Sequence, residues 1–370
     1  MIVNQSPFPP ELDTKKCSAY GGLNIHWSLP LDSGPAKSFR LEYQLIGFYE
    51  AGSSANEAVC IEELDVPKDS RVGMKENHQE WICGPLVEGS GAAVASVTAV
   101  SPASAYAVRV QAFGPAGSSD YSQELIIYTT PAEVLWFRLD DRSGYNKDSL
   151  ELSEDRRTVC SQAPLGIVAQ LAERPCPTGT FLPVDHIVGD FAITRGRHAW
   201  VVDVDPSSCV VRVGVVNATK LPDWFSTSRQ LSSPRPSSGC LLARETTVRK
   251  LKRCGCVPWF EQDSGHDSGS EEVETAQPSL LITIARGRLF LPRGQTVSAA
   301  GSTNMATEAL PLPRRLTVCL DHDEGWVAFY NSDGTPSCFC RRLVDCSGPV
   351  YPAFGMLGGG KLRIHPLDLG

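Results

Sequence analysis

Two closely spaced cysteine pairs are the residues of this sequence that most readily suggest metal chemistry. Cys254 and Cys256 are separated by one residue, as are Cys338 and Cys340, and Cys346 follows the second pair. Paired zinc ligands usually have about two to four residues between them, and no histidine pair follows at zinc-finger spacing. The spacing therefore favours free thiols, and we expect neither a metal site nor a cofactor.

Histidine could serve as a base in nucleophilic catalysis, but the histidines here stand outside any catalytic motif. None of His186, His198, His266 and His322 lies in a triad-like or His-Glu metal pattern. The glycine run at 358–360 precedes a predicted strand and not a helix, so the pattern predicts a turn and not a phosphate-binding loop. With no converging nucleophile, base or phosphate cradle, the sequence indicates a protein that is not an enzyme.

A serine pattern in an acidic stretch could carry a modification. Ser264 and Ser268 lie in the run Asp-Ser-Gly-His-Asp-Ser over 263–268, and both are candidate phosphorylation sites. Two phosphates would add roughly −3 to −4 units of charge for a basic pocket to bind. The doubly phosphorylated run resembles a degron read by an F-box ubiquitin ligase. The alternative is a solvated acidic loop with no recognition role.

Aromatic residues beside breaks in the strand pattern are the candidates for a partner-binding surface. They are Trp224, Phe225, Trp259, Phe260 and Trp326. In the predicted hairpin over 316–331, Val327 and Phe329 face inward, so alternation turns Trp326 outward. Trp is enriched among the residues that dominate protein interfaces. The alternative is that these aromatic side chains anchor a long insertion to the sandwich.

Composition narrows the class of partner. The net charge is −8 and the pI is about 5.5, so the chain has no electrostatic footprint for nucleic acid. No apolar run is long enough to span a membrane, and the N-terminus lacks a signal-peptide pattern. Thirteen scattered cysteines do not suggest a secreted disulfide framework. We expect a cytoplasmic protein that binds another protein, with no nucleic acid and no membrane insertion.

Strands are the elements that must position these residues. Leu23, Ile25 and Trp27 alternate with polar neighbours, as do the apolar residues of 39–45 and 106–112, and Gly, Pro and Ser separate such runs. The pattern predicts an all-β chain of two tandem β-sandwich domains over 12–131 and 132–370, after an N-terminal tail over 1–11. A loop-rich insertion from about 217 to 315 interrupts the second domain.

The first domain has Trp27 in an early strand, Val100 six residues before Tyr106, a turn over 112–117 and a closing run over 129–131. Together these features resemble a fibronectin type III domain. The resemblance implies that the Tyr106 hydroxyl bonds a nearby backbone group and that Trp27 packs between two sheets. Residues 50–92 depart from the family pattern, and we interpret them as an extended loop with a strand near 80–83.

The second domain resembles a PRY-SPRY (B30.2/SPRY) domain at four segments in the family's order, over 136–159, 191–204, 316–331 and 349–354. Phe137 and Leu139 are predicted to form one strand face, and Trp200 is predicted to point into the sandwich. Ala199 and Val201 depart from the Tyr and Glu that are usual there, which puts one polar contact of the family in doubt and leaves the fold intact.

This tandem order resembles the C-terminal half of Midline-like tripartite-motif (TRIM) proteins, and equally the fibronectin type III and SPRY domain-containing proteins. It implies a non-catalytic protein–protein interaction module that recognises a partner or substrate, with microtubules and the cytoskeleton as the expected setting. One alternative is a purely structural spacer on microtubules. Another is a fragment of an E3 ubiquitin ligase whose RING lies outside this chain, since no RING-like array occurs in it. Without a coiled coil in the sequence, the oligomeric state stays open.

Overall fold

A computed structural model shows a chain built almost entirely of β-strands, which confirms the predicted all-β class. The structure describes residues 5–49, 80–161, 184–225, 276–292, 310–333 and 336–365. It divides into two compact units, one built mainly from residues before Phe137 and the other mainly from Phe137 onward. The domain boundaries predicted from the sequence remain predictions.

The described strands of the first part are short apart from two of eleven residues. They are β1 (Glu11–Leu12), β2 (Leu23–Ser28), β3 (Ser38–Phe48), β4 (Ile82–Glu88), β5 (Ala93–Val97), β6 (Ser104–Gly114), β7 (Gly117–Tyr121), β8 (Leu125–Tyr128) and β9 (Glu133–Val134). One sheet has the order β1-β2-β5, and a second has the order β4-β3-β6-β7 with β8 also paired to β6. The strand predicted near 80–83 is confirmed as the start of β4.

Alternating apolar residues of both sheets meet in a single core in the first unit, as a sandwich requires. Leu23, Ile25 and Trp27 from β2 pack with Phe39 of β3 and Val108 of β6, and all five are at most 2% exposed. The Trp27 and Phe39 rings lie 5.6 Å apart in a tilted arrangement. The predicted position of Trp27 between two sheets is therefore confirmed.

Tyr106 closes the turn that precedes β6. Its hydroxyl accepts a hydrogen bond from the backbone N–H of Ser101 at 3.0 Å, five residues earlier in the chain. Its ring is buried and packs 6.3 Å from that of Tyr43. This is the side chain-to-backbone contact that the resemblance implied for Tyr106, while the fibronectin type III assignment itself stays a prediction.

The described strands of the second part form two larger sheets. They are β10 (Leu150–Leu152), β11 (Thr158–Ser161), β12 (Asp185–Val188), β13 (Arg197–Val204), β14 (Val210–Asn217), β15 (Ser279–Ala285), β16 (Arg288–Phe290), β17 (Leu310–Pro311), β18 (Leu316–Asp321), β19 (Trp326–Asn331), β20 (Ser337–Leu343), β21 (Val350–Leu357) and β22 (Gly360–Ile364). One sheet runs β10-β11-β22-β13-β18-β19-β20, and the other runs β12-β21-β14-β15-β16-β17.

Phe137 joins the two sheets of the second unit. Its ring packs edge-on against Trp200 of β13 at 5.9 Å and stacks with Phe354 of β21 at 6.3 Å. The inward orientation predicted for Trp200 is confirmed. The strand predicted through Phe137 and Leu139 is wrong, because this segment makes only an isolated bridge, from Leu139 to Gly189. Both apolar side chains are nevertheless buried, since packing between the sheets holds them without a strand.

Trp27 offers a direct test of the first core. We expect Trp27→Ala to lower the free energy of unfolding of this unit by about 3–5 kcal/mol, the usual cost of truncating a buried aromatic side chain. Leu31→Ala is the matched control, because Leu31 is fully exposed and its removal should change stability by less than about 0.5 kcal/mol. Urea unfolding of the full chain measures both, and similar losses in the two variants would contradict the core assignment.

Candidate functional site

Trp326, predicted to be exposed, is buried beneath two arginine side chains. It is 2% exposed. The guanidinium carbon of Arg341 lies 4.2 Å from the centroid of its ring, and that of Arg197 lies 5.1 Å away. The prediction that Trp326 is an exposed aromatic is therefore wrong. Alternation gives the side of the sheet that a residue faces, but not the distant side chains that cover it.

A buried carboxylate holds Arg197 in this position. Arg197 and Asp321 are directly paired across β13 and β18. The Nε and Nη2 atoms of Arg197 each lie 2.8 Å from Oδ2 of Asp321, whose side chain is only 6% exposed. The other oxygen, Oδ1, accepts the backbone N–H of Glu324 at 3.0 Å. A guanidinium group held at two nitrogens has little freedom to swing away from the Trp326 ring.

Gly196 forms the turn that brings Arg197 to Asp321. Its φ of +75° lies in the left-handed region that favours glycine. Its backbone N–H donates to Oδ1 of Asp323 at 2.9 Å, and its carbonyl accepts the N–H of His322 at 3.0 Å. The turn before β13 is thus fastened to the turn after β18. The Gly-Arg-His run over 196–198 that resembles the SPRY entry motif therefore positions the arginine.

Arg341, in contrast, is held only by the ring on which it lies. It is exposed, and it forms no ion pair with any residue in the described part of the chain. Its stacking on Trp326 leaves the N–H groups at the guanidinium edge available to an acceptor. Trp326, Arg197 and Arg341 together form what we call the arginine platform, a surface suited to bind carboxylate or other acidic groups.

Trp224 lies on a helical segment over 221–225 that follows the 3-10 turn Ala218–Lys220, and not on an irregular loop. Its indole stacks on the imidazole of His186, with ring centroids 4.1 Å apart and planes 18° apart. The contact shields the imidazole from water. This burial, with a smaller contribution from the nearby charge of Arg212, lowers the pKa of His186 to about 3.

Phe225 is buried, at 8% exposure, in a small apolar cluster with Val188, Val216 and Ala353. Leu221 and Trp224 pack against the same cluster. Of the two roles considered for this aromatic pair, the packing supports the anchoring of the segment after β14. The other aromatic candidates, Trp259 and Phe260, and both candidate phosphorylation sites, Ser264 and Ser268, lie outside the described residues.

The described cysteines form no metal centre. Within the described ranges, no three His, Cys, Asp or Glu side chains are grouped so that they could hold a metal ion. Burial, followed by the charges of neighbouring aspartates, raises the pKa of Cys346 to about 11, so its thiol stays protonated at neutral pH. Cys254 and Cys256 lie outside the described residues. Among the residues that the structure describes, no helix is long and apolar enough to cross a membrane.

Only part of the arginine platform is predicted from the sequence. Trp326 was identified as a candidate, but Arg197 and Arg341 were not. Arg197 could have been found from its place next to the turn glycine and opposite Asp321 in the pairing of two predicted strands. Nothing in the local pattern marks Arg341, because its contact with Trp326 depends on the register of β20 against β19.

Comparison with known proteins relates the chain to tripartite-motif proteins. It is 32% identical over 358 residues to the E3 ubiquitin-protein ligase Trim36 of Mus musculus, covering 96% of this chain and 41% of the relative. It is 32% identical over 368 residues to tripartite motif-containing protein 46 of Rattus norvegicus, covering 97% and 41% respectively. The chain thus spans about two fifths of these relatives and is homologous to their C-terminal region. No protein-family model matches it.

Solved structures give weaker likenesses. The TRIM65 PSpry domain is 16% identical with a TM-score of 0.33, covering 62% of this chain and 89% of that one. The stonustoxin structure is 14% identical with a TM-score of 0.31, covering 70% and 33%. Scores of this size establish no shared fold.

The stacked pair of Trp224 and His186 yields a prediction about protonation. We expect Trp224→Ala to raise the pKa of His186 from about 3 toward the ordinary value of about 6.5, because water reaches the imidazole. Histidine NMR titration measures the pKa directly. Trp136→Ala, which removes a 43% exposed indole elsewhere in the chain, is the matched control and should leave His186 unchanged.

The same pair sets the direction of a pH effect on stability. In the unfolded chain His186 gains a proton as the pH falls through about 6.5, whereas in the folded wild type it does so only near 3. The stability contributed by neutral His186 is therefore present above about 6.5 and is lost as the pH falls toward 3. Trp224→Ala should weaken this dependence. An unchanged slope between the two proteins would contradict the contact.

Proposed function

We propose that this chain is a non-catalytic protein-recognition module, the partner- or substrate-binding region of a tripartite-motif-like protein. The observation that carries the proposal is the arginine platform. A guanidinium group with unused donors lies on a buried Trp at the surface of a rigid sheet, next to a second guanidinium group fixed by Asp321. Trp and Arg are enriched among the residues that dominate protein interfaces.

Homology supports the same role. The relatives named above include an E3 ubiquitin-protein ligase, and the chain corresponds to about two fifths of that protein. A region of this kind, attached to a ligase, would select the substrate that the ligase modifies. We therefore infer that ubiquitin transfer takes place elsewhere in a longer protein and that this chain supplies specificity. Residence in the cytoplasm, and association with microtubules or the cytoskeleton, belong to the same proposal.

A purely structural spacer is the second candidate. It is favoured by the anchoring of Trp224 and Phe225, since aromatic residues expected to contact a partner are used for packing instead. The two candidates differ at Arg341. In a spacer, removal of this exposed guanidinium group should leave the bound proteins unchanged. In a recognition module, its removal should weaken binding of the partner.

Arg341→Ala tests the proposal without touching the core. We expect proteins that the wild-type chain captures from cell extract to be lost or several-fold reduced with this variant, because the platform loses its unpaired cation. The measurement is quantitative mass spectrometry of the captured proteins, together with the melting temperature of each variant. Because Arg341→Ala also removes the cation–π contact with Trp326, we expect it to lower stability by about 0.5–1 kcal/mol and to leave the chain folded.

Arg142→Ala is the matched control, because the Arg142 side chain is 87% exposed and its ion pair with Asp140 is long, at 3.9 Å. It removes the same charge away from the platform and should leave the captured set unchanged. An identical captured set for wild type and Arg341→Ala, with both folded, would favour the spacer.

A further inference from the structure

A groove distinct from the arginine platform lies on the second unit, beside β11 and β22. It encloses about 610 Å³ and is lined by Arg138, Ser153, Glu154, Asp155, Thr158, Lys361 and Arg363. Three of the seven lining residues are cations and two, Glu154 and Asp155, are carboxylates, so the lining has one net positive charge in a chain whose net charge is −8. A concentration of positive charge in an acidic protein indicates an anionic ligand or partner.

The alternation of β22 places two of these cations in one row. Lys361 and Arg363 are exposed, while Leu362 and Ile364 between and after them are buried. Thr158 lies directly opposite Arg363 on β11 and has its side chain on the same face of the sheet. Because a strand rises about 3.3 Å per residue, the two cations repeat at roughly 7 Å along the groove.

The cations of the groove lie beyond ion-pair distance of every described carboxylate, and their charges act on Asp155 and Asp205 only at longer range, from Arg363 and Lys361 respectively. In the part of the chain that the structure describes, no carboxylate forms an ion pair with Arg138, Lys361 or Arg363. Among the described arginines nearby, Arg156 is paired, with its Nη1 atom 3.0 Å from Asp141. The N–H groups of the three groove cations are therefore available to an incoming acceptor.

The carboxylates around the groove are occupied by local structure, with one exception. Asp155 accepts hydrogen bonds from the Ser153 hydroxyl and from the backbone N–H of Arg157, which closes the turn before β11. Asp203, opposite Arg363 on β13, pairs with His365 at 2.8 Å. Glu154 lines the groove, is exposed, and forms no ion pair within the described residues.

From this arrangement we propose that the groove binds an extended acidic peptide of a protein partner whose carboxylate side chains occur at alternate positions. Alternate residues of an extended peptide point to one side and repeat at about 7 Å, which matches the spacing of Lys361 and Arg363. The third cation, Arg138, widens the positive surface beyond what a single small anion would occupy. The inference rests on the proposed function, and it names a partner chemistry and a second contact surface.

The test compares two fluorescein-labelled octapeptides of identical composition. In one, Glu and Ser alternate, and in the other four Glu residues precede four Ser residues. Fluorescence anisotropy with the full chain should show tighter binding of the alternating peptide, because only that order presents every carboxylate to one face. Binding of both should weaken as ionic strength rises through about 0.15 M, since exposed charges are then screened.

Variants locate the binding site. Lys361→Gln and Arg363→Gln should each weaken binding of the alternating peptide by about 2- to 5-fold, the range expected for one exposed ion pair. Glu154→Gln should instead tighten it, because a repulsive charge is removed from the groove. Arg142→Gln is the matched control and should have no effect. A general loss of structure would not strengthen binding in one variant while weakening it in another.

Several results would overturn the proposal. These are no measurable binding of the alternating peptide to the wild-type chain, equal binding of the two peptides, or equal effects of Arg363→Gln and Arg142→Gln. Binding of inositol hexakisphosphate or single-stranded RNA at this groove, with neither peptide bound, would assign it to another ligand. If capture from extract depends on Arg341 but not on Lys361 or Arg363, the proposed function survives and the groove assignment fails.

Discussion

The second unit depends on a buried carboxylate that must be neutralised. Asp321 is 6% exposed at its side chain, and a charge removed from water is tolerated only with a close partner and satisfied oxygens. Arg197 supplies the partner, and the backbone of Glu324 satisfies the second oxygen. Loss of Arg197 would leave this buried carboxylate without its counter-ion, at a cost below the roughly 3–5 kcal/mol of a fully buried pair because the Arg197 side chain is 43% exposed. The ion pair with Asp321 holds the Arg197 guanidinium group beside Trp326 and so determines where the platform lies.

The two positive surfaces of this unit share one structural origin. In each, buried apolar residues fix a strand in the sheet, and the alternate residues carry charge into solvent. Leu362 and Ile364 do this for Lys361 and Arg363. At the platform, the buried Trp326 ring adds a direct contact with Arg197 and Arg341. Rigid sheets thus fix the backbone positions of these cations, while ordering each long exposed side chain on binding still costs about 0.5–1.5 kcal/mol.

Much of the fold could be predicted from period-two alternation, and the failures have a common cause. Leu23, Ile25 and Trp27 were predicted to share a buried face, and they do, since a local pattern specifies which side of a strand is apolar. The exposure of Trp326 was predicted wrongly because Arg197 and Arg341 are distant in sequence. Local pattern carries no information about such contacts between strands.

The same limit explains the other sites. Trp224 stacks on His186, which lies 38 positions away in the sequence. The local pattern around Trp224 therefore does not indicate this contact. The sequence pattern does not predict the groove, because its cations come from two distant segments, around Arg138 and along β22. Charge that is dispersed in the sequence becomes concentrated only when β11 pairs with β22 and the backbone N–H of Leu139, next to Arg138, donates to the carbonyl of Arg156 before β11.

The proposed function requires that the arginine platform contact a protein partner directly. Photo-crosslinking in cells tests this most directly, with benzoylphenylalanine introduced in place of Leu343, which is 39% exposed and lies two residues beyond Arg341 on the same side of β20. The same substitution at fully exposed Leu31 is the reference. We expect discrete covalent adducts with one or a few proteins from position 343 and none from position 31. The same adducts at both positions, or none at 343, would contradict the proposed function.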